Sequence, residues 1–260
     1  MDRSFKIYAQ HLPVLLSITF VTHIPSLLIN LANVLVLANP EEAVESGMGA
    51  AALLGLALGV LSLVVVTLVV QPLATGAVTQ AISQLYLGKS PDAMECFNQA
   101  FSRIGRLLFS QFMVGLWVTL GLMLLVVPGI VWAVTYMFVV PIVMLEAPSR
   151  FRSSSDVLAR SKELTVGDRR RLFNLLALMG LITLATVGVA GALSAMFQSE
   201  STMMGLIGAL VQEVVTLLVA PIGLIANVLA YYDMRIRREG FDIEMLQQAM
   251  NASAGNSLVR

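Results

Sequence analysis

The chain reads as long apolar blocks separated by short polar connections. It has neither the strict alternation of a half-buried strand nor the single apolar stripe of a helix at a water surface. A window of about nineteen residues finds six blocks: Leu12 to Leu37, Ala50 to Gln80, Leu107 to Val127, Ile130 to Leu145, Leu172 to Ala195 and Gly205 to Ala230. About twenty apolar residues carry a helix across ~30 Å of hydrocarbon. The pattern therefore predicts an all-α, polytopic membrane helix bundle of six transmembrane helices. It forms one integral membrane domain over 1–260, with a cytoplasmic tail over 231–260. The fourth block is the weak one, because Ile130 to Leu145 rises only ~24 Å as a helix and contains Pro141. Two crossings joined at Pro128-Gly129, or a re-entrant hairpin, satisfy the same flanking Arg106 and Arg150; two crossings are the expectation. The first block exceeds the apolar core of a cleaved signal peptide and is expected to stay as an anchor.

Composition narrows the reading. The chain is 57 % hydrophobic and 12 % charged, against roughly one-quarter charged in soluble proteins, and its mean hydropathy is +0.84. A water-soluble fold is excluded. One Cys and two His rule out a disulfide framework and a Cys/His zinc site. Sixteen basic residues balance sixteen acidic ones, so no nucleic-acid partner is indicated.

The charges also orient the chain. Arg3 and Lys6 precede the first span; Lys89, Arg103 and Arg106 separate the second from the third. Seven basic residues lie between the fourth and fifth, and Arg235, Arg237, Arg238 and Arg260 lie in the tail. The remaining connections carry Glu41, Glu42, Glu45 and Glu200 but no Lys or Arg. By the positive-inside rule both termini face the cytoplasm of a multi-pass protein in the cell inner membrane.

Each even-numbered block carries a proline after apolar residues: Pro72, Pro141 and Pro221, read here as helix kinks. Ser90-Pro91-Asp92, with Pro in the first helical position, and Ser153-Ser154-Ser155-Asp156 are helix-start signals. Gly240-Phe241-Asp242 ends one helix and starts another in the tail. The pattern predicts three hairpin-like repeats, each two spans and a cytoplasmic amphipathic helix, although proline is frequent in membrane helices anyway. Met94, Phe97, Phe101 and Ile104 recur at helical spacing in the first such helix, and Phe241, Met245, Leu246 and Ala249 in the last.

Glu213 is the one charged residue inside a span, about 12 Å from the outer end. An intramembrane carboxylate is either a functional site or a hydrogen-bonded structural residue. His23 lies near the middle of the first span, with Asn30 and Asn33 further out; interhelical hydrogen bonding is its plain role. A His23–Glu213 pair is conceivable, since both lie in the outer-to-middle region, but nothing in the sequence brings their helices together. Ala51, Gly55 and Gly59 form a small-residue packing face. The run Arg169, Arg170, Arg171 is read as a topological anchor or, with Arg235, Arg237 and Arg238, as a set of lipid headgroup contacts. Cys96 is expected as a reduced thiol on an amphipathic helix, with palmitoylation as the alternative. The methionines read as packing residues. No phosphate loop, His-Glu-x-x-His, Gly-x-Ser-x-Gly or paired intramembrane carboxylates occur, so neither catalysis nor a cofactor is expected.

The segment Tyr231-Tyr232-Asp233-Met234-Arg235-Ile236-Arg237-Arg238-Glu239-Gly240-Phe241-Asp242 resembles the closing motif of the glycerophosphoryl diester phosphodiesterase membrane domain family and its free-standing bacterial relatives. Val127-Pro128-Gly129-Ile130, Pro141 and Ser161 to Gly167 are similar to that family's central region. The resemblance covers roughly Leu107 to Asp242, with Lys162 and Arg169 standing where Trp is expected. It implies a membrane fold and an association with lipids. It does not imply hydrolysis, because the separate catalytic barrel of fused members has no counterpart here. On the residues alone, Tyr231 and Tyr232 belong at the interface, and Asp233 can pair with Arg237 one turn on. Three hairpins also resemble mitochondrial carriers in outline, but Ala74, Val143 and Gly223 stand where those carry a charge after the proline. The expected function is a non-catalytic membrane protein that binds or organises lipids, a membrane protein partner or a second copy of itself. The alternative is a small transporter or lipid-translocating protein using Glu213 and the proline-kinked helices.

Overall fold

A computed structural model describes residues 66–87, 90–197 and 202–239, together with 16–20, 23, 24, 27 and 61. Every regular element among the described residues is helical. A π-helical turn at Val66–Val70 leads into α1 (Gln71–Tyr86). There follow α2 (Ala93–Ser102), α3 (Ile104–Leu124), α4 (Val126–Thr135), α5 (Val139–Leu145), α6 (Ser154–Thr165), α7 (Arg169–Ala195) and α8 (Thr202–Glu239). Four stretches are long and apolar enough to cross a membrane: Ile104–Leu124, Val126–Leu145, Arg169–Ala195 and Met203–Glu239. They mark a membrane protein. The first predicted span is represented by helical residues 16–20, 23, 24 and 27, and the second by Leu61 and residues 66–80. Ala51, Gly55, Gly59, Asn30, Asn33, the acidic connections and the last amphipathic helix lie outside the described residues.

The third and fourth spans turn earlier than expected. One extended residue, Leu125 (φ −161, ψ 143), joins α3 to α4, and Pro128-Gly129 lies inside α4 rather than in the loop. The physical reason is positional. Pro128 is the third helical residue, where no backbone N–H is needed for an intrahelical bond. Gly129 and Gly121 let the two backbones touch: a Cβ on Gly121 would lie 2.8 Å from the Gly129 Cα and 2.6 Å from the Trp132 ring. Trp117 and Trp132 pack edge to face on the same hairpin, centroids 5.6 Å apart.

The three prolines do three different things. Pro72 is the second residue of α1, just after the π-helical turn. Pro141 is the third residue of α5, after a break between α4 and α5. Pro141 occupies a first turn, where the missing N–H costs nothing, whereas Pro72 follows residues already helical (Val70 φ −71, ψ −44), and the ladder widens to a π-helical turn just before it. Pro221 sits inside α8, which runs through it without interruption. Beyond it α8 continues to Glu239, so Tyr231 to Glu239 extend the last membrane helix rather than begin a separate tail.

The surface helices are capped as acidic signals predict, with one shift. Asp92 caps α2 by accepting from Met94 N at 2.9 Å, so Pro91 precedes the cap and is not the first helical residue. At α6 the Asp156 carboxylate accepts from Ser153 N at 3.0 Å and Arg152 N at 2.8 Å. The apolar face expected on α2 is split: Met94 and Phe101 are exposed, Phe97 is half-buried against the core, and Cys96 and Ala100 are buried. Small residues are required there because α1 crosses closely at Gly76. A Cβ on Gly76 would meet Leu107, Met144 and Ala100 at 2.9, 3.2 and 3.4 Å.

The core gathers around α1, which packs on α2, α3, α5 and α8. Its largest fully buried side chains include Ile82, Leu107, Phe138, Ile142, Leu164, Ile225, Tyr231 and Met234. This is the basic end of the molecule, because Arg103, Arg160, Arg171, Arg235 and Arg238 all find partners around it. Away from it α3 and α7 are largely exposed apolar surface, as lipid-facing helices are.

Candidate functional site

Three features stand out above the general packing: a polar network at the basic end, a lateral groove, and an ion pair within the spans. The network centres on Glu146, the residue just past the end of α5. It is buried, with its side chain 2 % exposed. Its carboxylate accepts from Arg150 Nη1 at 3.0 Å, Arg160 Nε at 3.2 Å and the Tyr231 hydroxyl at 3.1 Å. Arg160 continues to Glu239, which Arg235 also holds at 3.0 Å. Loop, surface helix and last membrane helix are thus tied through paired charges, the condition for burying them.

Backbone groups close the rest of this end. Arg103 Nη1 donates to the carbonyls of Val143, Met144 and Glu146 at 2.7, 2.7 and 3.1 Å, capping the C-terminus of α5. Burial, with the Arg106 cation beside it, holds the Arg103 guanidinium below its ordinary range. Ser161 donates to the Thr135 carbonyl at 2.8 Å, at the break before α5. Gly167 adopts a positive φ of 97° that lets Arg238 reach Asp168 Oδ2 at 3.2 Å and the Glu163 carbonyl at 3.0 Å.

The two tyrosines expected at the membrane surface are instead interior. Tyr231 is fully buried against Glu146 and Phe138, and Tyr232 hydrogen-bonds Ser83 at 2.6 Å and stacks on Tyr86. Arg235 and Arg238 likewise point to protein partners rather than outward. Asp233 pairs with Arg237 as expected, at 3.1 Å, and also with Arg171 at 3.0 Å. Arg169 and Arg170 stay exposed. Cys96 is buried; its burial and, secondarily, the Glu95 and Asp92 carboxylates push the thiol up to about 11. At neutral pH it is therefore a protonated packing group, poorly suited to acylation.

The groove runs between the start of α1 and α3, with a volume of about 970 Å³. Leu68, Pro72, Leu108, Phe109, Phe112 and Leu116 line it, with Gln71 and Gln111 as its longer polar members. Gly105 and Gly115 leave it wide, since a Cβ at either would meet nothing within 4 Å. From Gly105 to Thr119 it follows ~21 Å of helix.

Within the spans, His23 and Glu213 meet. His23 Nδ1 lies 2.7 Å from Glu213 Oε1, and both side chains are largely buried. The contact gives each polar group a partner at a depth where an unpaired one would be costly. Similar depth made this pair conceivable from the sequence, which held nothing to bring the two helices together. The sequence also contained no signal for the Glu146 network, whose members are scattered over ninety residues of chain and whose arginines read singly as topology markers. Among the described residues no group of three or more His, Cys, Asp or Glu is placed to hold a metal.

No family model, curated protein or solved structure matches this chain.

Proposed function

We propose that this chain is a non-catalytic membrane protein of the cell inner membrane that binds and organises lipid. Six crossings with both termini in the cytoplasm are part of the proposal, as is the kinship with the glycerophosphoryl diester phosphodiesterase membrane domain family. The observation that carries it is the α1–α3 groove. It is apolar, lies on membrane-depth helices, and opens sideways beside exposed Phe109 and Phe112. The π-helical turn and Pro72 lie at the start of α1, beside the groove. In a bilayer the material at such an opening is acyl chain, and the groove is longer than one ~15 Å leaflet. The carboxylates of Glu146 and Glu213 are engaged with Arg160 and His23 respectively.

Gly115→Phe tests the reading, because it fills the groove without a clash at its own Cβ. Native mass spectrometry of the detergent-purified protein should show retained phospholipid in the wild type and fewer bound lipids per protein in the variant, at unchanged unfolding temperature. Equal retention by both, or none by the wild type, overturns the proposal. A second reading, proton-coupled translocation, is favoured by the His23–Glu213 contact alone. In liposomes with an imposed pH gradient, the wild type would then collapse the gradient faster than Glu213→Gln; equal rates remove that pair from any mechanism.

A further inference from the structure

A second cavity, of about 340 Å³, lies at the basic end between α1, α7 and α8. Its walls differ from those of the groove. Leu175, Leu229 and Ala226 form an apolar part, and Tyr86, Arg171 and Asp233 a polar one. From Ala226 to Ile236 it follows α8 for ~15 Å, the thickness of one hydrocarbon leaflet. The charged pair stands at its arginine-rich mouth and the apolar wall lies deeper along the helix.

The polar part carries both signs of charge. Arg171 Nη1 and Asp233 Oδ2 are 3.0 Å apart, and the Arg237 Nε shares the same carboxylate at 3.1 Å. Both Arg171 and Asp233 remain substantially exposed, with side chains 53 % and 40 % accessible. A carboxylate offers about four lone-pair sites and these partners occupy two or three; a guanidinium offers five N–H donors, in a fork suited to phosphate. A cation cluster alone selects for negative charge. A cation fixed beside an accepting carboxylate selects for a group that carries a phosphate and an N–H donor together.

We propose that this cavity is a headgroup site for a zwitterionic phospholipid with a primary ammonium, the chemistry of phosphatidylethanolamine. Its phosphate lies on Arg171, its ammonium donates to Asp233, and the first part of a chain runs along Leu175 and Leu229. The assignment rests on the lipid-binding reading above and names a headgroup at a place distinct from the groove. A choline headgroup has the same charge but no N–H to donate; a glycerol headgroup leaves Asp233 facing a net anion.

The test is lipid competition on the full chain in nanodiscs of equal phosphatidylethanolamine, phosphatidylcholine and phosphatidylglycerol content, read by native mass spectrometry. The wild type should retain the ethanolamine lipid over each of the others by about fivefold, the scale of one partly exposed charged contact. Asp233→Asn should equalise ethanolamine and choline lipids while keeping both bound, and Arg171→Gln should lower retention of all three. Unfolding midpoints within a few degrees of wild type certify the variants as folded. Retention without ethanolamine preference, or preference for the glycerol lipid, overturns the assignment and leaves the lipid-binding reading standing. Absence of any retained lipid defeats that reading as well.

Discussion

At position 146 a carboxylate with almost no exposed surface holds two guanidiniums and a phenol. Removing one partner of such a group leaves the others desolvated and unmatched, which is where the large cost of buried charge arises. Glu146→Ala should therefore lower stability by about 3 kcal/mol, while Tyr231→Phe, which removes a single hydrogen bond, should cost about 1 kcal/mol. Detergent-solubilised unfolding midpoints check the ranking. Asp156 gives a prediction about pH. Hydrogen bonds from the backbone N–H groups of Ser153 and Arg152 hold its carboxyl below the ordinary range. A lowered folded value means that the stabilisation is fully present above the unfolded value near ~3.9 and disappears as pH falls through the folded one. The stability difference between wild type and Asp156→Asn should accordingly vanish in strong acid and be constant at neutral pH. A difference that grows on acidification would contradict the capping role.

Among the elements, the α3–α4 hairpin depends most visibly on one contact. Gly121 meets Gly129 and Trp132 so closely that any side chain there must part the helices. Gly121→Val should separate Trp117 from Trp132, seen as a shift in tryptophan fluorescence, and destabilise by roughly 1 to 3 kcal/mol, the range for overpacking. An unchanged spectrum would show that the hairpin is held elsewhere. The element scale is also where sequence and structure diverge in an instructive way. Apolar block length located α3, α7 and α8 well, since hydrocarbon thickness dictates it. The turn was misplaced because Pro-Gly is a loop signal in water, whereas proline in the first helical turn needs no N–H. The apolar face of α2 is only partly inward, with Met94 and Phe101 exposed, because the close approach of α1 at Gly76 is met by the small Ala100.

For the whole molecule, the separation of charge is the property with most consequence. The described arginines gather at one end, and the far end presents consecutive exposed apolar residues from Met123 to Val127. If the arginines mark the inner leaflet, cysteines at Glu42 and Arg170 should react with a membrane-impermeant maleimide from opposite sides, Glu42→Cys from outside intact cells and Arg170→Cys only after permeabilisation. Labelling of both from one side would overturn the orientation. Cys96 itself should stay silent while folded, being buried and protonated.

Composition and block length by themselves determined that the solvent of this chain is hydrocarbon, that its regular structure is helical and which connections are basic. Those properties follow from transfer free energies and backbone satisfaction, which are summed locally along the chain. Only the tertiary structure decided that Tyr231, Tyr232 and Arg235 turn inward, that Glu146 gathers residues from three separate segments, and that His23 reaches Glu213 across 190 positions. A pairing between distant helices depends on their rotation and depth relative to one another. Since lipid tails are as apolar as the side chains they meet, the pattern of hydrophobic residues carries almost no information about which faces turn toward each other.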